Sequence, residues 1–443
     1  MTLIARGIFW FGLYVFLVTL PLLAAVLAAP RGGAPSHLAN AGVAAGYLAL
    51  AMMALEMALV ARVRAAASAF GQDALLLFHR GMGVGALVLV LLHPALLVGS
   101  GTYPAAVLGL GAGVPWAIRL GSVAALCALV LVATSLLRRR LRIHYEVWQV
   151  LHGVLAVAAV VAAAWHASRV GRLAEIPALR AVGAAYAVIF LGVFVRYRLV
   201  HPLRLLRRPW EVVSNAAEAG DARTIRLRPV GHPGFSFEPG QFAWINLGRT
   251  PFHLEQHPMS MVSGGDVPPG GEIAFTIRNL GDWSGRLVPA LRPGARAWID
   301  GPYGAFSIDR HEGPGFVLVA GGVGVTPMVS FLSTMASRGD VRPVLLVYGA
   351  RSEEDLTLRG TLEALAPALA LRIVYVLEHP PAGWTGETGL VDAELLLRHL
   401  PAGFQRFQFF TCGPPPLMDA MERALPLLGV PPERIHAERF DMV

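Results

Sequence analysis

Six stretches in the first half of this chain are long and apolar enough to cross a bilayer, which takes about 20 residues of α-helix. They lie at 8–29, 39–60, 76–98, 116–137, 147–167 and 179–195. The apolar excess ends near Arg208, and beyond it strand-like runs, glycine and proline turns and amphipathic helices alternate as in a water-soluble protein. Over all 443 residues only 15% are charged and 55% are hydrophobic, against a charged share of about 25% in ordinary globular domains. The expected organisation is therefore an all-α membrane domain of six helices at 1–208, followed by a globular half.

The first run ends in Ala28 and Ala29, as a cleaved signal does. Its apolar core exceeds the ~7–15 residues of a signal, so it is read as a retained anchor. Arginines set the orientation. Arg6, Arg62, Arg64, Arg138, Arg139, Arg140, Arg142, Arg196, Arg198, Arg204, Arg207 and Arg208 fall on one side of six spans. Arg31, Arg119, Arg169, Arg172 and Arg180 fall on the other. The richer side is the cytoplasmic one, so both termini and the globular half are expected in the cytoplasm of a multi-pass protein of the inner (plasma) membrane. The net charge of +8 follows from this topology and implies a lipid environment, with no nucleic-acid partner. Cys127 and Cys412 are the only cysteines, which excludes a disulfide framework, a cysteine-ligated cluster and a structural zinc site. There is no C-x-x-C-H motif, so any haem is held non-covalently.

The third and fifth spans each carry two histidines 14 residues apart: His79 and His93, then His152 and His166. On a helix, 14 residues advance ~21 Å and rotate ~1400°, ~40° short of four turns, so the two imidazoles share a face at different depths. Both spans run in the same direction. If they pack together, His79 meets His152 at one level and His93 meets His166 at the other, and each pair can clamp one iron, giving two stacked bis-histidine haems. A packing histidine, a proton relay and a metal transporter are the competing readings, since ionisable groups in spans are functional suspects of several kinds. Equal spacing on two parallel helices favours the haems. Glu56, the one acid well inside a span, is read as interfacial, and Arg80 as a haem-propionate partner or a snorkelling side chain. His37, His144 and His201 break the pattern.

Residues 210–308 read as a small antiparallel β-barrel. It contains HPMSMVS (257–263) and RNLGDWS (278–284), the latter a basic residue, a glycine and a hydroxyl at a helix start, which suits a phosphate. From Gly315 the text changes to strand–turn–helix units. FVLVAGGVGVTPMVSF resembles a Rossmann-type pyrophosphate loop, although Thr326 and Pro327 stand where a third glycine would fall. VLLVYGARS (344–352) ends where an adenosine ribose would lie, and FQFFTCGPPP leads into a later helix. Expected domains are thus a β-barrel domain at 209–310 and an α/β nucleotide-binding domain at 311–443.

The histidine pairs, followed in order by HPMSMVS, GPYGAF, GGVGVTP and CGPPP, resemble the ferric reductase and NADPH oxidase superfamily over nearly the whole chain. The resemblance implies a ferric-reductase-like membrane domain with two b-type haems on His79, His93, His152 and His166, and a ferredoxin–NADP reductase-like half. It implies that His257, Pro258 and Ser260 line FAD, with Met259 where the family has an aromatic, and that Arg278, Gly281 and Ser284 hold its pyrophosphate. Gly322, Gly324, Thr326 and Pro327 match the loop for the nicotinamide dinucleotide, and Cys412, Gly413 and Pro414 the motif beside the nicotinamide. Phe440, the last aromatic, resembles the lid over the flavin. Arg351 and Ser352 favour NADPH over NADH, while Glu353, Glu354 and Asp355 oppose a 2′-phosphate if they turn inward. The implied activity passes electrons from NAD(P)H through FAD and the haems to dioxygen or a ferric chelate, or to a partner protein. The outer loops at 30–38, 99–115 and 168–178 carry no cysteine, histidine cluster or acidic run for a chelate, which tilts the reading to dioxygen.

Overall fold

The computed structural model describes residues 3–27, 36–60, 72–101, 104–108, 113–170, 176–248, 250–253 and 256–439. The chain forms two compact units, Met1–His201 and Pro202–Val443.

Six long helices make up the first unit: α1 (Leu3–Leu27), α2 (His37–Val60), α3 (Gln72–Gly99), α4 (Trp116–Leu137), α5 (Tyr145–Val170) and α6 (Pro177–Val195). All six are long and apolar enough to span a membrane. The last continues beyond the apolar run as a π-helical turn, Arg196–Val200, and a further turn, His201–Leu206. Arg196 and Arg198 interrupt the hydropathy pattern there without interrupting the backbone ladder. Leucines, valines and phenylalanines on the outer surface, such as Phe9, Leu77, Val88, Val154 and Leu191, are exposed and suit a lipid surround. Helix α2 packs extensively on α3, and α4 on α5. By contrast α3 and α5 approach each other mainly through their histidines, a looser arrangement than direct helix packing. Arg31, Arg62, Arg64 and Arg172 lie outside the described residues.

The second unit contains two six-stranded sheets. The first is antiparallel, with strands β1 (Trp210–Glu218), β2 (Ala222–Pro229), β3 (Phe242–Leu247), β4 (His257–Ser260), β5 (Ile273–Arg278) and β6 (Arg296–Tyr303) in the order β4-β3-β6-β1-β2-β5. A bridge between Met261 and Phe275 brings the two edges together into the expected barrel. Its interior holds Trp210, Ile225, Leu227, Ile245 and Phe275, each almost fully buried. In β2 the alternation is visible directly: Ile225 and Leu227 point in, Arg226 and Arg228 out.

The second sheet is parallel, in the order β10-β9-β8-β7-β11-β12. Its strands are β7 (Phe316–Gly321), β8 (Val344–Ala350), β9 (Leu371–Leu377), β10 (Glu387–Thr388), β11 (Gln408–Cys412) and β12 (Ile435–Glu438). Helices α7 (Val325–Arg338), α8 (Arg359–Leu365), α9 (Ala393–His399) and α10 (Pro415–Leu427) connect them. Every residue of β7 and β11 is buried, as central strands covered on both faces must be. Chain order runs outward from β7 through β8 to β10, then returns to β11 on its other side. The strand order therefore reverses between β7 and β11, where such sheets bind ligands.

Barrel and α/β lobe meet at Gly240. Its N–H donates to Ser330 Oγ on α7 (3.1 Å), and its φ is +84°. A Cβ here would lie 2.2 Å from Phe331 Cε1 and 2.5 Å from the Phe306 carbonyl oxygen. Gly240→Ala combines a left-handed backbone with overpacking at this seam and is expected to cost roughly 2–4 kcal/mol, read as a lower denaturant midpoint for the second unit with an unchanged m-value.

Candidate cofactor sites

Helix α3 presents His79 and His93, and α5 presents His152 and His166, in the two layers that the spacing implied. Ring centroids are 6.2 Å apart for His79 and His152 and 6.3 Å apart for His93 and His166, with interplanar angles of 62° and 78°. These gaps are too wide for ring contact. They match one ion held between two imidazole nitrogens by bonds of about 2 Å each.

The Nδ1 atoms face away from those gaps. His93 Nδ1 lies 2.8 Å from the Gly42 carbonyl oxygen, and His166 Nδ1 lies 2.9 Å from that of Ala117. A carbonyl only accepts, so both Nδ1 atoms carry the proton. His152 Nδ1 is 3.2 Å from Ser135 Oγ. The Ser135 hydroxyl already donates to the Leu131 carbonyl (2.7 Å) and accepts from Trp148 Nε1 (3.2 Å), so it accepts from His152 as well. His79 Nδ1 pairs with the Glu56 carboxylate. All four rings are thereby oriented through Nδ1, leaving Nε2 as the available ligand atom, the arrangement common to metal-binding histidines. Glu56, near the end of α2, turns its side chain to His79 and is 14% exposed.

Two glycines make room for the second layer. A Cβ on Gly46 would sit 2.7 Å from His93 Nδ1, and one on Gly121 would sit 3.0 Å from the His166 ring. Neither glycine, nor Ser135, was singled out from the sequence. The available signal was the Gly42-x-x-x-Gly46 spacing, which lets helices approach closely.

In the barrel, His257, Pro258 and Ser260 lie on β4. The Ser260 hydroxyl is buried and has no hydrogen-bond partner. An orphaned buried donor of this kind fits a ligand that supplies the missing acceptor. His257 stacks on Trp283, with centroids 3.7 Å apart, which brings an aromatic ring beside β4. Gly281 and Ser284 start the short helix after β5, where Ser284 Oγ accepts from the N–H groups of Leu280 (2.9 Å) and Gly281 (3.1 Å). Arg278, at the end of β5, reaches the α/β lobe. Its guanidinium lies 3.2 Å from Asp355 Oδ1 and 3.3 Å from where a Gly322 Cβ would stand.

The glycine loop and the Cys412–Pro414 loop interlock at the reversal between β7 and β11. Gly322 has φ +53°. A Cβ on Gly324 would meet the Cys412 carbonyl oxygen at 2.3 Å, and one on Gly413 would be 3.0 Å from Gly321 N. Cys412 itself is fully buried. Thr326 Oγ1 donates to the Val323 carbonyl (2.9 Å), and Pro327 sits in the first turn of α7. The N-terminus of α7 has no side-chain cap, so its N–H groups suit an anion.

Beyond β8, Arg351 is exposed. Glu353 turns to Arg359 (2.6 Å) and Asp355 to Arg278, so two of the three neighbouring acids are paired. The Tyr348 hydroxyl donates to the Thr357 carbonyl (3.1 Å) and holds this loop, and burial raises its pKa above the usual tyrosine range. Phe440 lies outside the described residues.

Residues 45–163 match the ferric reductase like transmembrane component, and residues 318–423 match the oxidoreductase NAD-binding domain. The first interval holds His79, His93 and His152 and ends three residues short of His166, and the second holds the glycine loop, Arg351 and Cys412–Pro414. The reductase component of propane 2-monooxygenase from Rhodococcus jostii is 30% identical over 229 residues, covering 50% of this chain. This chain spans 60% of that protein's length. Ferredoxin–NADP reductase B of Sorangium cellulosum is 32% identical over 244 residues, 51% of this chain and 99% of that protein. Among solved structures, an Amycolatopsis cytochrome P450 reductase aligns over 53% of this chain and 69% of its own, at 27% identity and a TM-score of 0.46.

Fold and loops together define an oxidoreductase with a membrane half and an FAD- and NAD(P)-binding reductase half. The chain belongs to the ferric reductase and NADPH oxidase superfamily, which joins a ferric-reductase-like transmembrane component to a ferredoxin–NADP reductase-like module.

Because the Ser260 hydroxyl is unpartnered without ligand, Ser260→Ala is expected to leave the melting temperature of flavin-free protein unchanged. It should weaken FAD retention by about 1 kcal/mol, roughly fivefold, as measured by flavin release on dilution.

Proposed function

We propose that this protein carries electrons across the plasma membrane, from NAD(P)H on the cytoplasmic side to dioxygen on the far side, giving superoxide. The observation that carries this reading is the pair of imidazole gaps of 6.2 and 6.3 Å, one above the other on α3 and α5. When bound, FAD takes a hydride from NAD(P)H and passes its electrons on singly, and two b-type haems conduct single electrons through the bilayer.

The chain's own residues bind and orient. His79 with His152, and His93 with His166, would hold the two haems through Nε2. Ser260, His257 and Pro258 on β4 would line the flavin, with Gly281 and Ser284 at its pyrophosphate. Arg278 stands next to Gly322, within reach of either cofactor's phosphates. Gly322 and Gly324 let a dinucleotide pyrophosphate approach the backbone, while Thr326 and Pro327 shape the first turn of α7. Cys412, Gly413 and Pro414 would border the nicotinamide, and Phe440 would cover the flavin when no nucleotide is present. The excess of arginine on one side of the spans supports cytoplasmic termini. The short outer loops, without a chelate-binding cluster, favour dioxygen over a ferric chelate.

Absorption spectra of purified protein before and after anaerobic NADPH test the reading: bis-histidine haem bands that reduce together with flavin are expected. Acceptor assays with and without superoxide dismutase then separate dioxygen from a ferric chelate. The wild type should contain two haems per chain, and His93→Ala one, with flavin retained. Gly46→Ala should lose the same haem, because the added methyl displaces a ring already tied to Gly42. Pyridine haemochrome and flavin contents on the same preparation check both, and one haem or none in loaded wild type rejects the relay.

Arg351 is proposed to contact the 2′-phosphate of NADPH, an interaction favoured by the pairing of Glu353 and Asp355 elsewhere. A charge-assisted hydrogen bond contributes ~1.5–3 kcal/mol. Arg351→Ala should therefore lower the ratio of kcat/KM for NADPH to that for NADH by about tenfold or more, and an unchanged ratio removes Arg351 from the site.

A further inference from the structure

The two histidine layers differ in what stands behind them. His93 and His166 both donate to backbone carbonyls, those of Gly42 and Ala117, which are neutral. His152 donates to a serine hydroxyl, also neutral. Only His79 faces a carboxylate, that of Glu56. Sequence and helix register bring this about: α2 and α3 are antiparallel neighbours in close contact. Glu56, near the end of α2, then falls level with His79 near the start of α3.

A carboxylate in a spanning segment is costly unless it is paired, and here it stands in contact with the imidazole Nδ1 of His79. That pairing has an electronic consequence for any iron held on the other nitrogen. A carboxylate held against the outer nitrogen of a ligating imidazole raises the basicity of that ligand. Oxidation of the metal adds one unit of positive charge on the far side of the same ring, and the nearby negative charge favours that form. A neutral acceptor offers much less of either effect.

We propose that Glu56, through its contact with His79 Nδ1, sets the reduction potential of the His79/His152 haem below that of the His93/His166 haem. The inference rests on the di-haem reading above. Its effect is directional. Six alternating spans put the start of α3 and α5 on the membrane face where α6 ends and the chain leaves the first unit. The low-potential layer is thus the one at that face, and a single electron passing from it to the second layer goes downhill, with no bond made or broken. Glu56 is a positioning and tuning residue in this account, acting through His79 without touching the iron.

Spectroelectrochemical titration of the full-length protein in detergent tests the proposal. Wild type, Glu56→Gln and His93→Ala are compared, with haem content measured on each. In wild type two midpoints are expected, and the one haem kept by His93→Ala should titrate at the lower. Glu56→Gln should move the lower midpoint upward and leave the higher one in place. Two retained haems with unmoved midpoints in Glu56→Gln, or a shift confined to the higher midpoint, overturn the role of Glu56 and leave the di-haem reading standing. Wild type without two haems overturns both. If Glu56→Gln loses haem, the His93→Ala titration decides alone: a remaining haem at the higher potential overturns the proposed order.

Discussion

A polar atom carried into the hydrocarbon layer must find its partner within the protein, and that constraint organises the membrane half. Backbone groups meet it by forming helices. The four histidines meet it one by one, each through Nδ1, with two carbonyls, a serine and a glutamate as acceptors. Once Nδ1 is tied down, each ring has one orientation, and Nε2 points across the gap between α3 and α5. The closest helix contacts then fall between α2 and α3 and between α4 and α5, because those are the helices that supply acceptors to the rings. Gly46 and Gly121 are consequences of the same geometry, since a side chain on either would occupy the space of an imidazole.

The reductase half is governed by a different constraint, the reversal of strand order in a parallel sheet. Strands β7 and β11 are central and buried, and the polar side chains on β11, Gln408 and Thr411, are spent on hydrogen bonds within the protein. Ligand-binding groups are confined to the loops where these strands end. Gly324 allows the β7 loop to pass against the Cys412 carbonyl, and Gly413 allows the reverse approach. The two loops form one site although nearly a hundred residues separate them in the chain. Arg278 extends that site into the barrel by its contact with Asp355. A basic residue at the end of a barrel strand thus stands beside the glycine loop at Gly322 as well.

Pairing of charges also explains how a nucleotide loop tolerates three consecutive acids after Arg351. Glu353 is held by Arg359, and Asp355 by Arg278 and the Ser352 hydroxyl. Ion pairs at partly exposed positions add little stability. Their contribution here is to orientation, and the Arg351 guanidinium stays exposed.

The sequence by itself determined what local periodicity and turn chemistry dictate. Six apolar runs specify six spans, and a spacing of 14 residues places His79 with His93, and His152 with His166, on single helix faces. Alternating apolar residues specify the barrel strands, and continuous apolar runs ending in glycine specify the parallel sheet. These patterns are legible because helix pitch and strand pleat repeat within one segment. Tertiary structure alone decided the rest. Glu56 meets His79 only when α2 is packed on α3. Gly42 and Ala117 become acceptors only because rings 51 and 49 residues away are brought to them. Trp283 meets His257, and Arg278 meets Asp355, through contacts between distant segments that no residue-level pattern encodes. Such contacts depend on which helix faces and which loops are brought together, and that is settled by packing.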